Sequence, residues 1–209
     1  MSSATLESIK VVSKCLIAFQ KGVKAQDQDD VASFTLLSML ASDAKRSCFD
    51  DPEGFKSAKK SWAQSDSLWE NTQISSDTVL SRFVLDKVND SKESRDAVEQ
   101  AIEAVGKPRN GGALQVLGNS AVGPRQLAFL AGHTTADSNG NETVQLCGVF
   151  GNVSKSGGNF LESILKQGDA IRVCNLKIIL SEAIASMFRD AVHQKLGHHY
   201  QDDVISVDF

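Results

Sequence analysis

RQLAFLAGHTTADSNGNETVQLCGVFG, residues Arg125–Gly151, is the stretch that decides how the chain is read. Two alternating runs flank Asn139-Gly140, the strongest short signal for a two-residue type I′ hairpin, because both turn positions need φ > 0. With Asn139 and Gly140 as the turn, His133 lies opposite Leu146 and Phe129 opposite Phe150. Leu127, Phe129, Ala131 and His133 then share a face with Val144, Leu146 and Phe150. Side chains alternate along a strand, so Cys147 points away from His133 in this register.

Working toward the C-terminus, NVSKSGGN (152–159) reads as a loop. A short helix follows, carrying Phe160, Leu161, Ile164 and Leu165 and closed by Gly168. DAIRVCNLKIIL (169–180) reads as a strand whose alternation changes phase between Val173 and Leu176, the pattern of a bulge at Cys174-Asn175. A long amphipathic helix then places Ile184, Met187, Phe188, Ala191, Val192 and Leu196 on one stripe and stops at Gly197. VISVDF (204–209) reads as a last strand with Ile205, Val207 and Phe209 inward, and as a sheet edge open to another chain.

Toward the N-terminus the period changes from about 3.6 to 2 at KPRNGG (Lys107–Gly112), after which ALQVLG reads as a short strand. Before it the apolar spacing is helical. Leu6, Ile9, Val12, Leu16 and Phe19 form one stripe with Gly22 as its stop. Asp29 or Asp30 is placed to cap a second helix with Val31, Phe34, Leu37, Leu40, Ala41 and Ala44 on its buried face. Asp51 and Pro52 open a third helix with Phe55, Ala58 and Trp62 on its buried side, and a polar stretch runs from Gln64 to Gln73. Ser76 or Asp77 caps a fourth, with Leu80, Phe83 and Val84. Ser91 caps a fifth, with Val98, Ala101, Ile102 and Val105, ending at Gly106 and Pro108. The expected fold is therefore α+β. A helical N-terminal half packs on a mainly antiparallel sheet formed by the C-terminal half, with a long C-terminal amphipathic helix. One domain spans 1–209, with a sub-boundary at 107–112.

Composition narrows the function. Hydrophobic residues make up 41% and charged residues 23% of the chain, which excludes a disordered chain. A net charge of −4, without a dense Lys/Arg block, argues against nucleic-acid binding; Lys56, Lys59 and Lys60 read as a solvated helix face. No secretory signal and no apolar run near the roughly 18 residues of a membrane span are found. Cys15, Cys48, Cys147 and Cys174 form no CxxC pair and read as reduced thiols. The expected location is cytoplasmic.

The candidate chemistry is sparse. HQKLGHHYQDD (193–203) gathers three of the four histidines beside two aspartates. His193, His198, His199 and Asp202 are the candidate metal ligands, but Gly197 separates His193 from the other two histidines. The spacing reads as a helix ending, and no metal and no cofactor are expected. His133 is the candidate catalytic base, with Arg125 and Lys155 as its would-be partners in a pocket. Lys155, Gly157 and Gly158 lead into a helix start and form a candidate anion site. The aspartate clusters near helix starts read as caps.

These features favour a non-enzymatic interaction or assembly protein that works through protein–protein surfaces, by self-association or by docking a partner protein. The alternatives are an enzyme or small-molecule-binding domain built on His133, and a membrane-active, toxin-like protein whose helices peel from a sheet.

Overall fold

The computed structural model describes residues 5–45, 64–88, 91–123, 127–151 and 159–209. The expected helix at Asp51, Cys48, Arg125 and the candidate anion-site residues Lys155, Gly157 and Gly158 lie outside the described residues.

The first correction falls at the N-terminus. Leu6–Val12 is strand β1 and Cys15–Gln20 is strand β2, joined as an antiparallel hairpin in which Val12 pairs with Cys15. The two linking residues are Ser13 and Lys14. Ser13 sits at φ 54° while Lys14 does not have positive φ, the sign pattern of a type II′ turn. The helical spacing misled because these strands are covered on both faces, so apolar residues occur at every interval. The β-branched density of Ile9, Val11, Val12 and Ile17 is the signal that favours strand.

The remaining elements run in order. Helix α1 is Ala25–Lys45 and strand β3 is Gln64–Gln73, the stretch read from sequence as a polar connection. Strand β4 is Thr78–Val79, helix α2 Leu80–Lys87, helix α3 Lys92–Val105 and helix α4 Gly111–Ala121. Helix α4 replaces the strand expected at ALQVLG. Strands β5 (Leu127–Ala136) and β6 (Glu142–Gly151) form the central hairpin. A 3₁₀ turn at Phe160–Glu162 and strand β7 (Ile164–Leu165) replace the short helix expected there. Strand β8 (Ala170–Leu180), helix α5 (Glu182–Leu196), helix α6 (His199–Asp203) and strand β9 (Val204–Val207) complete the described chain.

The fold is α+β, but its strands come from both ends of the chain. One seven-stranded sheet runs β3-β8-β6-β5-β2-β1-β9. Its pairings are antiparallel apart from β2 with β5, where the N-terminal hairpin docks parallel beside the central one. Helices cover both faces. One core joins Leu16, Ala18, Phe129, Ala131, Cys147 and Val149 to α2, α3 and α4. The other joins Ile17, Phe19, Leu130, Val144, Leu146 and Leu176 to α1 and α5. Each fully buried Leu or Phe contributes about 1.5–3 kcal/mol, so the two cores dominate stability.

This double covering explains two further corrections. In the central hairpin, His133 faces Gln145 and Phe129 faces Val149, one residue away from the register expected from sequence. Val144, Leu146 and Phe150 therefore lie on the face opposite Phe129, and Cys147 lies on the same face as His133. The turn sets this register. Asp137 Oδ1 accepts from the backbone N–H of Asn139 at 2.8 Å and of Asn141 at 2.9 Å, while Gly140 N–H donates to the Asp137 carbonyl. Gly140 alone within the turn takes positive φ, at 78°, so the loop runs from Asp137 to Asn141 instead of spanning two residues. The second correction concerns β8, which pairs without interruption on both sides and has no bulge. Its phase change marks the place where cover passes from one layer to the other. Ile171 and Val173 belong to the first core, Cys174, Leu176 and Ile178 to the second.

Strand β9 is a sheet edge, as expected for VISVDF, although Phe209 is 54% exposed and not inward. The edge is largely closed. Asp203 accepts from Ser13 N–H, so in the antiparallel ladder Ile205 and Val207 also turn their backbone groups toward β1. Val204, Ser206 and Asp208 turn outward. Val204 N–H donates to the Tyr200 carbonyl, and the Asn110 side-chain amide holds both the N–H and the carbonyl of Asp208. Ser206 is left between two closed ends, too little for an added strand.

Candidate functional site

In phase with Phe129 and Ala131, His133 lies deep in the first layer. Its ring is buried, and Nδ1 lies 3.4 Å from Ser94 Oγ. Ser94 stands in the first turn of α3, where its N–H is capped by Ser91 Oγ at 3.0 Å, and its hydroxyl donates to Gln145 Oε1 at 3.0 Å. A serine beside an imidazole has the composition of a nucleophile–base pair. Here Ser94 is buried and its proton points to an amide oxygen, so the group pins the start of α3 to the sheet. Cys147 shares the face, but burial pushes its thiol up to about 12, which keeps it protonated and unreactive at neutral pH.

The C-terminal histidines separate. Gly197, at φ 54°, ends α5. His193 meets the edge of Tyr200, whereas His198 and His199 stack on each other at 4.4 Å and His199 Nδ1 lies 3.3 Å from Asp203 Oδ2. Among the described residues, no three His, Cys, Asp or Glu side chains stand where they could hold a metal ion. Tyr200 donates to Asp29 Oδ1 at 2.9 Å, and Lys10 pairs with the same carboxylate. Burial, then the bond to Asp29, raises the Tyr200 phenol well above its ordinary value.

Asp29 and Asp30 are therefore not helix caps, since α1 begins at Ala25. Their carboxylates reach across the second layer. Asp30 is buried, and its oxygens accept from Arg189 Nε at 2.8 Å and Nη2 at 2.7 Å, a bidentate pair linking α1 to α5.

This pair belongs to a charged seam that the sequence did not announce. Glu142, the first residue of β6, is only 1% exposed, and its Oε1 has no hydrogen-bond partner. Burial first, then the charges of Asp27, Asp30 and Glu182, push its carboxyl up to about 7, although its own backbone N–H favours the charged form. Asp27, in the first turn of α1, is itself held above its ordinary value, by burial and by Asp30 and Glu182, against Lys24 and Arg189. Glu182, in the first turn of α5, folds over the hairpin turn: a side chain at Gly140 would place its Cβ 2.9 Å from Glu182 Oε2. Asp27, Asp30 and Glu182 thus all act on Glu142, while the Arg189 guanidinium is occupied by Asp30. One signal for Glu142 was present in the sequence, since it falls in phase with Val144 and Leu146 on a buried face. Asp30 and Arg189 are 159 positions apart, and no local pattern joins them.

The outer surface of α5 carries exposed apolar side chains among polar ones. The sequence places Ile184, Met187 and Phe188 on the buried stripe, but the buried residues of α5 are Ala185, Val192 and Leu196. Ile184 is 36%, Met187 73% and Phe188 39% exposed. Among the described residues, no helix is long and apolar enough to cross a membrane.

No protein family and no curated protein matches the chain. Among solved structures, that of the Evf virulence factor is similar at a TM-score of 0.36 and 6% identity, over 92% of this chain and 85% of that one. A likeness at that score carries no argument about function.

Proposed function

We propose that this chain is an interaction protein that self-associates through the outer face of α5. The observation that supports it is the spacing of Ile184, Met187 and Ala191, all exposed, at i, i+3 and i+7. That spacing is the apolar stripe of a helix meant to pack on another helix. The helix already has a separate stripe, Ala185, Val192 and Leu196, buried in the second core. A helix with two apolar faces seats itself with one and offers the other. The occupant is a second copy of the chain. A two-fold axis brings the same stripe against itself, and the commonest soluble assembly is such an isologous dimer. The exposed parts of Ile184 and Met187 supply on the order of 200 Å² of apolar surface per copy, below the roughly 800 Å² of a stable partner face. The dimer is therefore weak and forms in the micromolar range or above.

Sedimentation velocity from about 1 µM to about 1 mM tests this, with a dimer expected to grow in over that range. Met187→Asp puts a charge at the centre of the stripe and should stay monomeric. Because Met187 is largely exposed, its stability should change by less than about 0.5 kcal/mol. A native chain that stays monomeric throughout, or a variant that dimerises equally well, sinks the proposal.

A further inference from the structure

We propose that Glu142 is a pH-operated latch between the central hairpin and helices α1 and α5: protonated, it lets both helices close over the start of β6, and ionised, it drives the first turns of α5 away. The geometry carries this. Glu142 enters the second layer from the sheet, in phase with Val144 and opposite Ala136 on one neighbouring strand and Leu180 on the other. The two neighbouring strands bring only Ala136 and Leu180, and the charge comes from the helices and the turn. From α1 and its approach come Lys24, Asp27 and Asp30; from α5 come Glu182 and Arg189, with Asp190 beyond; the hairpin turn holds Asp137. The local balance is strongly negative.

The available positive charge is committed. Arg189 is locked to Asp30 by two hydrogen bonds, and Lys24 lies beside Asp27 on the exposed side. The orphaned Oε1 of Glu142 is therefore buried with neither a donor nor a countercharge assigned to it. A carboxylic acid tolerates that place, because it is neutral. A carboxylate does not: it must draw in water, and water enters only where a helix turn lifts. The weakest wall is the first turn of α5. Glu182 is held over Gly140 there and is repelled by the new charge, and Ala185 is the buried residue of α5 nearest that turn. The far end of α1 and the Asp30–Arg189 pair lie outside that turn and hold the helices in place. Opening is thus local, of the kind that exposes a few amides without global unfolding. Charge balance changes by one proton, taken from or released to solvent, and no covalent step is involved.

Hydrogen exchange measured by mass spectrometry on the full chain tests the latch, with intrinsic rates corrected for pH. The Met187→Asp background is included so that self-association does not enter. In the native chain, the open population of the first two turns of α5 should rise about tenfold or more between about pH 6 and about pH 8. In Glu142→Gln it should stay flat. If Glu142→Gln does not fold, Glu182→Gln serves instead: with the repelling charge on the turn gone, the rise in open population should shrink. A native chain without the rise, a Glu142→Gln variant with the same rise, or a Glu182→Gln variant whose rise is undiminished each overturns the latch.

Discussion

Replacing Glu142 by Gln should make the protein more stable at neutral and alkaline pH while leaving it unchanged in acid. The native carboxyl holds its proton up to about 7, whereas the unfolded chain releases it near the ordinary value of 4.5. Between those values the folded state binds the extra proton, so raising the pH removes stability. The sign follows: this contribution is complete below 4.5 and is lost as pH rises through about 7. The separation corresponds to roughly 3 kcal/mol. Gln has the shape of the protonated acid and never ionises. The two proteins should therefore have equal stability near pH 4, and the variant should lead by up to roughly 3 kcal/mol at pH 8. Urea denaturation across that range reads the difference directly. With a slope of about 2 kcal/mol per molar, the midpoints should separate by on the order of 1 M at pH 8. Asp27 adds a slope in the same direction, while Glu70, Asp77 and Asp137, whose carboxyls lie below their ordinary values, add the opposite one. All four are common to both proteins and cancel in the difference. Parallel curves would refute the reasoning, because they would mean that Glu142 titrates as an ordinary exposed carboxyl. A variant less stable at every pH would refute it differently, by showing that the charge makes a favourable contact.

Two further perturbations probe the frame around the seam. Gly132→Ala would place a Cβ 2.2 Å from the Gln145 carbonyl oxygen and 2.4 Å from Leu146 Cδ2, in the middle of a central strand; it should cost about 3 kcal/mol or more in urea denaturation, and a cost under about 1 kcal/mol would mean the strands are not so closely apposed. Asp30→Ala leaves Arg189 without its bidentate partner inside the second layer and should cost about 3 kcal/mol, with a coupling above about 1 kcal/mol to Arg189→Met in a double-mutant cycle; additive single changes would show that the two helices are held by apolar packing alone.

Helices whose ends are written locally could be read from sequence. Ser91 caps α3 through Ser94 N–H, and Gly106 with Pro108 ends it; Gly197 ends α5 where expected. The N-terminal hairpin was not legible, because its residues meet helices on both faces of the sheet. Leu16 belongs to one core and Ile17 to the other, so a stripe at helical spacing could be drawn through strands. The same double burial blurred the register of the central hairpin, leaving the turn to decide it. There Asp137, not the Asn-Gly pair, controls the geometry. Strand β3 was hidden for the opposite reason: QSDSLWENTQ is polar at most positions, and it is a strand because it pairs with β8 along its full length at the sheet edge. Asp29 and Asp30 read naturally as caps, since capping is a local role. Their actual partners, Lys10, Tyr200 and Arg189, are supplied by the tertiary fold.

The seam also explains why its residues sit where they do one by one and still conflict together. Asp27 and Glu182 occupy the first turns of α1 and α5, where unpaired N–H groups and the helix dipole favour an anion. Each placement stabilises its own helix by about 0.3–1 kcal/mol. The two helices then converge on the start of β6, and two locally favourable carboxylates become a repelling pair that a third, Glu142, must join without a helix end of its own. Apolar side chains of similar size would remove that repulsion and fill the same space, which is why buried ionic groups are weak evidence for stability. What the charged seam provides, and an apolar one would not, is a response to proton concentration near neutrality. That response is confined to α5, the helix whose inner side faces the seam through Arg189 and whose outer side carries Ile184 and Met187.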